Sequence, residues 1–272
     1  MEITFWGVRG SAPVCGENMV EYGGHTPCAS IITSEENLII LDAGTGIIPL
    51  GKRLAKEKSK TKFHIHLFLT HFHIDHTLGI LFFAPLFSKD IDITFYSALR
   101  PEETQKTLRQ IMGGRFFPVD FNETESKKNF KQVPPGDFNI GNIQISHVPL
   151  HHPQGSLAYR FHEKGKSVVF ATDTEHPEKG VDRLLVAFAK KADIFVYDST
   201  FTPEEYSQGK RGWGHSTWLE GTRIAEQAGV KKLYLSHFNP SHSDEKIGMI
   251  INNAQKKFRE TYAAKEGLTI RL

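Results

Sequence analysis

The stretch Thr70-His71-Phe72-His73-Ile74-Asp75-His76 constrains this chain more than any other. It follows directly on residues 63–69, a β-branched and aromatic run that reads as a strand. It precedes an apolar stretch from Thr77 onward that reads as a helix. The motif therefore sits where a strand's carboxyl end turns into a helix, the usual place for an active site in α/β chains. His71 and His73 are two apart, so in extended chain they project to one side. Asp75 and His76 then enter the turn and let the backbone bend round a metal. Imidazole and carboxylate suit a borderline divalent ion such as zinc, with iron(II) and manganese as competitors.

Four donors from one short loop cannot complete two metal sites, so further ligands are expected at other strand ends. Three groups stand in such places: His151-His152-Pro153 after the run 143–148, Asp173 after 168–171, and His237 after 233–235. The chain carries 14 histidines, more than packing needs in 272 residues, and these clusters account for part of the excess.

Short β-branched and aromatic runs recur at 3–8, 30–33, 38–41, 63–69, 91–96, 143–148, 157–161, 168–171, 194–197, 233–235 and 268–272. Each is bounded by Gly, Pro, Asp or Asn and reads as a strand. Pro101-Glu102-Glu103 opens a helix that Gly113-Gly114 closes, and Thr217 with Glu220 caps one that stops at Gly229. Ser243-Asp244-Glu245 starts a long terminal helix. Early strands succeed one another as hairpins and later ones alternate with helices. That order predicts an α/β (α+β) chain of two packed sheets with helices outside. No repeat, low-complexity tract or Pro/Ser-rich linker interrupts it, so one domain over 1–272 is expected. The polar segment 122–137 reads as an exposed loop or insertion, with Lys127, Lys128 and Lys131 as a solvated cluster inside it.

A hydrophobic share of 39% and a charged share of 24% are those of an ordinary globular protein. The formal net charge of +2 shows no large electrostatic footprint for nucleic acid. Cys15 and Cys28 are the only cysteines and form no Cys-x-x-Cys pair, which excludes a disulfide framework and a thiolate zinc knuckle. Two free thiols in a reducing cytosol are expected. The start, Met1-Glu2-Ile3-Thr4-Phe5, lacks the pattern of a secretory signal, and the apolar run 78–87 is too short for a bilayer and contains Pro85. A soluble cytoplasmic protein that does not meet a membrane is expected.

Taken in order, His71-x-His73-x-Asp75-His76, His152, Asp173 and His237 resemble the five-part ligand pattern of the metallo-β-lactamase superfamily. The opening Trp6-Gly7-Val8-Arg9-Gly10-Ser11-Ala12-Pro13, with Tyr22-Gly23-Gly24 and Leu41-Asp42-Ala43-Gly44-Thr45-Gly46, is similar to its phosphodiesterase branch. That branch includes the tRNA 3′-processing endoribonucleases and small cyclic phosphodiesterases. The resemblance implies a four-layer αββα sandwich holding two divalent ions, zinc first, with manganese or iron(II) as alternatives. It gives His71, His73 and His152 to one ion and Asp75, His76 and His237 to the other, with Asp173 bridging; Asp75 also counts among the catalytic groups. The family sets its third ligand directly before Pro-x-Gly, which selects His152 and leaves His151 as a neighbour of the site. Asp42 becomes a buried acid steadying the metal loops. His25 stands where related sequences usually have Asn, either adding a group near the site or remaining a plain surface imidazole.

Two metals about 3.5–4 Å apart lower the pKa of a shared water towards about 7 and clamp the attacked group. The leaving alkoxide then needs a proton. By the resemblance His215, in His215-Ser216-Thr217, donates it, and Asp198 orients His215. Hydrolases of β-lactams, thioesters and lactones do not use this histidine, so a phosphodiester is the expected substrate. No basic RNA-gripping arm is evident, which favours a small or cyclic phosphodiester such as a cyclic nucleotide over RNA. A tRNA 3′-end endoribonuclease and a carbonyl-ester, lactone or thioester hydrolase are the alternatives. A homodimer is implied by analogy alone.

Overall fold

The computed structural model describes residues 1–56 and 63–272. In chain order its strands are β1 (Glu2–Gly7), β2 (Cys28–Ile32), β3 (Leu38–Leu41), β4 (Phe63–Phe68), β5 (Ile91–Ser97), β6 (Lys127–Gln132) and β7 (Phe138–Ile140). There follow β8 (Ile143–Leu150), β9 (Ser156–Glu163), β10 (Lys166–Ala171), β11 (Ile194–Asp198), β12 (Lys232–Ser236), β13 (Thr261–Ala263) and β14 (Thr269–Arg271). The α-helices are α1 (Ile47–Lys56), α2 (Pro101–Ile111), α3 (Arg183–Phe188), α4 (Pro203–Ser207), α5 (Trp218–Ala228) and α6 (Asp244–Gln255). Every strand expected from the sequence is present, and the described chain divides into two compact units.

Unit 1 comprises residues 1–7, 25–135 and 267–271, on a sheet ordered β14-β1-β2-β3-β4-β5-β6. Its first four strands pair antiparallel and β3 to β6 pair parallel. Leu38-Ile39-Ile40-Leu41 is apolar on both faces and wholly buried, as a central strand must be. Along β4 and just beyond it, Ile65, Leu67 and Leu69 enter a core with Ile93, Phe95 and Leu108, leaving His64 and His66 to the opposite face. Helix α1 adds Ile47 and Leu50 to that core and turns Lys52, Arg53 and Lys56 outward. Each such fully buried Leu, Ile or Phe stabilises the unit by about 1.5–3 kcal/mol.

Unit 2 comprises residues 8–24 and 136–266, with Leu272, on a sheet ordered β13-β12-β11-β10-β9-β8-β7. Strands β7 to β10 are antiparallel and β10 to β13 parallel. Thr217 caps α5 by accepting from the Glu220 N–H, and Gly229, at φ 63°, ends it in the left-handed conformation that favours glycine. Ser243 caps α6 in the same way as Thr217 caps α5.

Two expectations are corrected. No α-helix follows Thr77; the chain makes short 3-10 turns at Ile74–His76, Leu78–Phe82 and Ala84–Phe87. Pro85 has no N–H to continue a helix, and Gly79 is held so close to the Gly44 carbonyl that a β-carbon would clash. Segment 122–137 is not simply a loop, because β6 runs through it as an edge strand beside β5. Phe130 stacks on Phe95 with ring centres 5.3 Å apart, and that contact outweighs the flanking lysines, which an edge strand tolerates. Lys127, Lys128 and Lys131 thus lie on β6, and Lys128 donates to the Thr124 and Ser126 carbonyls. Helix α1 carries no start signal in its sequence. Both thiols are free, Cys15 exposed and Cys28 buried. No described helix is long and apolar enough to cross a membrane.

In both sheets the parallel strands end where the candidate residues begin. Their packing also carries a pH dependence. His66 lies against the His64 ring, 4.4 Å away, and its Nδ1 is 3.3 Å from the Tyr96 hydroxyl. Burial first, then His64 and Lys131, lowers its pKa from 6.5 to about 4. Between those values the unfolded chain takes a proton that the folded one refuses, so stability falls as pH drops through that window. Urea titrations across it are expected to show a flatter decline for His66→Gln, and an unchanged decline would refute this origin.

Candidate active site

In unit 1 the site is built on Asp42, the residue after β3, which is 2% exposed. Its carboxylate accepts from the Thr70 N–H at 2.8 Å, the Thr70 hydroxyl at 3.0 Å and the His76 Nδ1–H at 2.8 Å. Because the one hydroxyl proton of Thr70 goes to Asp42, its oxygen accepts from the His71 Nδ1–H at 3.0 Å. Both rings are thereby held with the proton on Nδ1 and the lone pair on Nε2. The His71 ring lies 4.5 Å from that of His73 and 4.3 Å from that of His76. Asp75 Oδ2 is 3.5 Å from His76 Nε2.

Unit 2 repeats the device around Asp198, the last residue of β11 and fully buried. Its Oδ2 accepts from the Asp173 N–H at 2.9 Å and the His215 Nδ1–H at 3.1 Å. Its Oδ1 accepts from the N–H groups of Thr200 at 3.0 Å and Ser216 at 3.2 Å. Burial alone would raise this carboxyl, but the charge and hydrogen bond of His215, with His237, hold it below the usual range. The Thr200 hydroxyl donates to the His237 carbonyl, which can only accept, and so receives the His237 Nδ1–H; both distances are 2.9 Å. The His152 Nδ1–H donates to the Gly214 carbonyl at 2.8 Å. Ligand-type atoms of Asp173, Asp198, His215 and His237 lie within 4.8 Å of one another.

The geometry is that of a metal-binding site. Four imidazoles (His71, His76, His152 and His237) carry Nδ1–H bonds to protein oxygens, the arrangement that prepares Nε2 for a metal. In each unit such an Nε2 faces a carboxylate oxygen, His76 to Asp75 at 3.5 Å and His237 to Asp173 at 3.2 Å. A lone pair and an anion at that range repel, and a cation between them removes the conflict. The donors are imidazole nitrogen and carboxylate oxygen, which fit zinc, manganese or iron(II).

The backbone is shaped to the same end. Asp42, Asp173 and His237 follow β3, β10 and β12 with left-handed φ values of 61°, 59° and 58°. Gly10 lies so close to the His237 ring that a β-carbon would fall 2.3 Å from it, which explains the glycine in the opening motif. His151 is exposed and its carbonyl accepts from the Glu175 N–H, while His25 hydrogen-bonds the Thr45 hydroxyl.

A family model described as the β-lactamase superfamily domain matches residues 37–238, about three quarters of the chain. The chain belongs to that superfamily. Its fold class is the one read from the sequence, and it is a metal-dependent hydrolase. Ribonuclease Z of Thermoplasma acidophilum is 24% identical, over 98% of this chain and 94% of that protein. Ribonuclease Z of Prochlorococcus marinus strain MIT 9515 is 23% identical over the whole of both. Among solved structures, the metallo-β-lactamase fold protein YhfI from Bacillus subtilis has a TM-score of 0.73 at 21% identity, covering 99% of this chain and 98% of its own. Human tRNase Z, short form, has a TM-score of 0.68 at 18% identity, covering 100% and 99%. At those identities the two structures speak for the fold alone.

Reasoning from the superfamily motif passes over Thr70, Thr200 and Glu175. A threonine that sets an imidazole's tautomer looks like any strand-end threonine, and only its adjacency to ligand-type residues marks it. Asp42→Asn tests the tautomer device. The amide puts N–H opposite His76 Nδ1, so the proton is expected to move to Nε2, with a loss of about 1–3 kcal/mol. Imidazole ¹⁵N shifts and denaturant unfolding read the two effects, and an unmoved tautomer would contradict the assignment.

Proposed function

We propose that this protein is a dinuclear phosphodiesterase that cuts RNA at the 3′ end of a tRNA precursor. The observation that carries the phosphodiester part is the His215–Asp198 pair, a histidine held on a buried carboxylate at 3.1 Å beside Asp173 and His237. In this reading His71, His73 and His152 hold one ion, Asp75, His76 and His237 the other, and Asp173 is shared. Zinc is the first choice, with manganese and iron(II) as alternatives. Two divalent ions held there supply charge neutralisation at the phosphate and a more acidic water.

The chain's own residues do the rest. Asp198 holds the His215 Nδ1 proton, which orients the ring so that its Nε2 can give a proton to the leaving oxygen. Trp213 is 55% exposed, with Lys210 Nζ 3.9 Å from its ring centre. Its ring meets Phe201 edge-on, and Phe201 meets His215. A base next to the scissile phosphate can stack there. The RNA part rests on the end-to-end alignment with proteins named ribonuclease Z.

The second reading is the small or cyclic phosphodiester expected from the sequence. What favours it is the lysine cluster of β6, where Lys128 is tied to neighbouring carbonyls rather than carried on a projecting arm. A cytoplasmic setting that keeps Cys15 and Cys28 reduced, and a homodimer, complete the proposal.

The test is turnover by zinc-reloaded protein on a tRNA precursor with a 3′ trailer, a cyclic nucleotide, bis-(p-nitrophenyl) phosphate, a thioester and a lactone. Precursor cleavage with the highest kcat/KM is expected; turnover of the cyclic nucleotide alone would install the second reading. His215→Ala is expected to lower kcat by about 10²–10⁴ with both metal equivalents retained. Undiminished turnover would remove His215 from the mechanism.

A further inference from the structure

We propose that Glu175 is a positioning residue that sets both His152 and His215 through the segment Gly212-Trp213-Gly214. The inference rests on the reading above only in taking His152 as a ligand and His215 as the proton donor.

Glu175 stands two residues beyond Asp173, in the loop that leaves β10. Its Oε1 accepts from the Tyr206 hydroxyl at 2.7 Å and the Gly212 N–H at 2.8 Å. Its Oε2 accepts from the Gly212 N–H at 3.0 Å and the Gly214 N–H at 2.9 Å. Its own N–H donates to the His151 carbonyl at 2.7 Å.

Residues 210–214 belong to no helix or strand, so no backbone ladder fixes them. The Glu175 carboxylate takes that place. It seats the peptide whose next carbonyl, on Gly214, accepts the His152 Nδ1–H at 2.8 Å. Gly214 has φ 81°, and a β-carbon there would lie 2.3 Å from His152 Nδ1 and from Pro153 Cδ, so the contact leaves no room for a side chain. The following residue is His215, whose Nδ1–H goes to Asp198. One carboxylate thus determines which nitrogen of His152 keeps its proton and where the His215 ring starts from.

One measurement needs no mutation: imidazole ¹⁵N shifts of the metal-free wild type should show His152 protonated on Nδ1. Glu175→Leu removes the acceptors at similar volume. It is expected to give a mixed His152 tautomer, weaken metal binding about 10–100-fold in a chelator competition without substrate, and lower kcat more than it changes KM. Glu175→Gln should restore most of each property, because its oxygen can take both glycine N–H groups while its NH₂ donates to the Tyr206 hydroxyl. A wild-type His152 protonated on Nε2, or a folded Glu175→Leu protein with unaltered metal affinity, would overturn the proposal. Failure of every phosphodiester substrate would sink the function proposed above while leaving these tautomer and metal readouts standing.

Discussion

Asp198 has no solvent to lean on, and its charge survives because four protein donors replace the water it lost. Two of those donors are backbone N–H groups from the turn after β11 and the approach to α5, one is the backbone of Asp173, and one is the His215 ring. An ionised carboxylate at such depth would be expelled or neutralised without them. Because each donor belongs to a different stretch of chain, satisfying the charge also specifies where those stretches meet. Stability and site geometry are here one requirement.

Asp42 works on the same principle in unit 1, with fewer donors and a different result. There the carboxylate reaches one imidazole directly and a second through the Thr70 hydroxyl. A hydroxyl has a single proton, so once it is committed to an acid its oxygen must accept. Thr200 plays this part for His237, using a carbonyl in place of the acid. Threonine at both places turns a diffuse preference of imidazole into one tautomer, and a metal-binding nitrogen emerges from purely organic bookkeeping of protons.

Eleven of the fourteen described strands were legible as short apolar runs closed by a turn residue, Leu38–Leu41 and Ile194–Asp198 most plainly, while the three-residue strands β7 and β13 are too short to show a pattern. Helix α1 was not, since its amphipathic stripe begins inside the glycine-rich turn that serves Asp42. Edge strand β6 hid behind its lysines, with Phe130 as the single residue that betrayed a buried face. The residues singled out as ligands do stand at strand exits, after β4, β8, β10 and β12. What sequence reasoning lacked was the set that aims them. Glu175 and the two threonines act through contacts 37 residues apart in two cases, Glu175 with Gly212 and Thr200 with His237, a distance no local pattern encodes.

The left-handed backbone of Asp42, Asp173 and His237 has a further consequence. A non-glycine residue in that region costs about 1–2 kcal/mol, a debt the fold carries at three of its most important positions. Glycine would relieve the backbone at each of them but would delete a buried side chain, at Asp42 one that accepts three hydrogen bonds, and the donors left unpaired cost as much as the strain removed. The strain at these strand exits is therefore held in place by what the side chains bind, and a substitution there exchanges backbone relief for lost contacts.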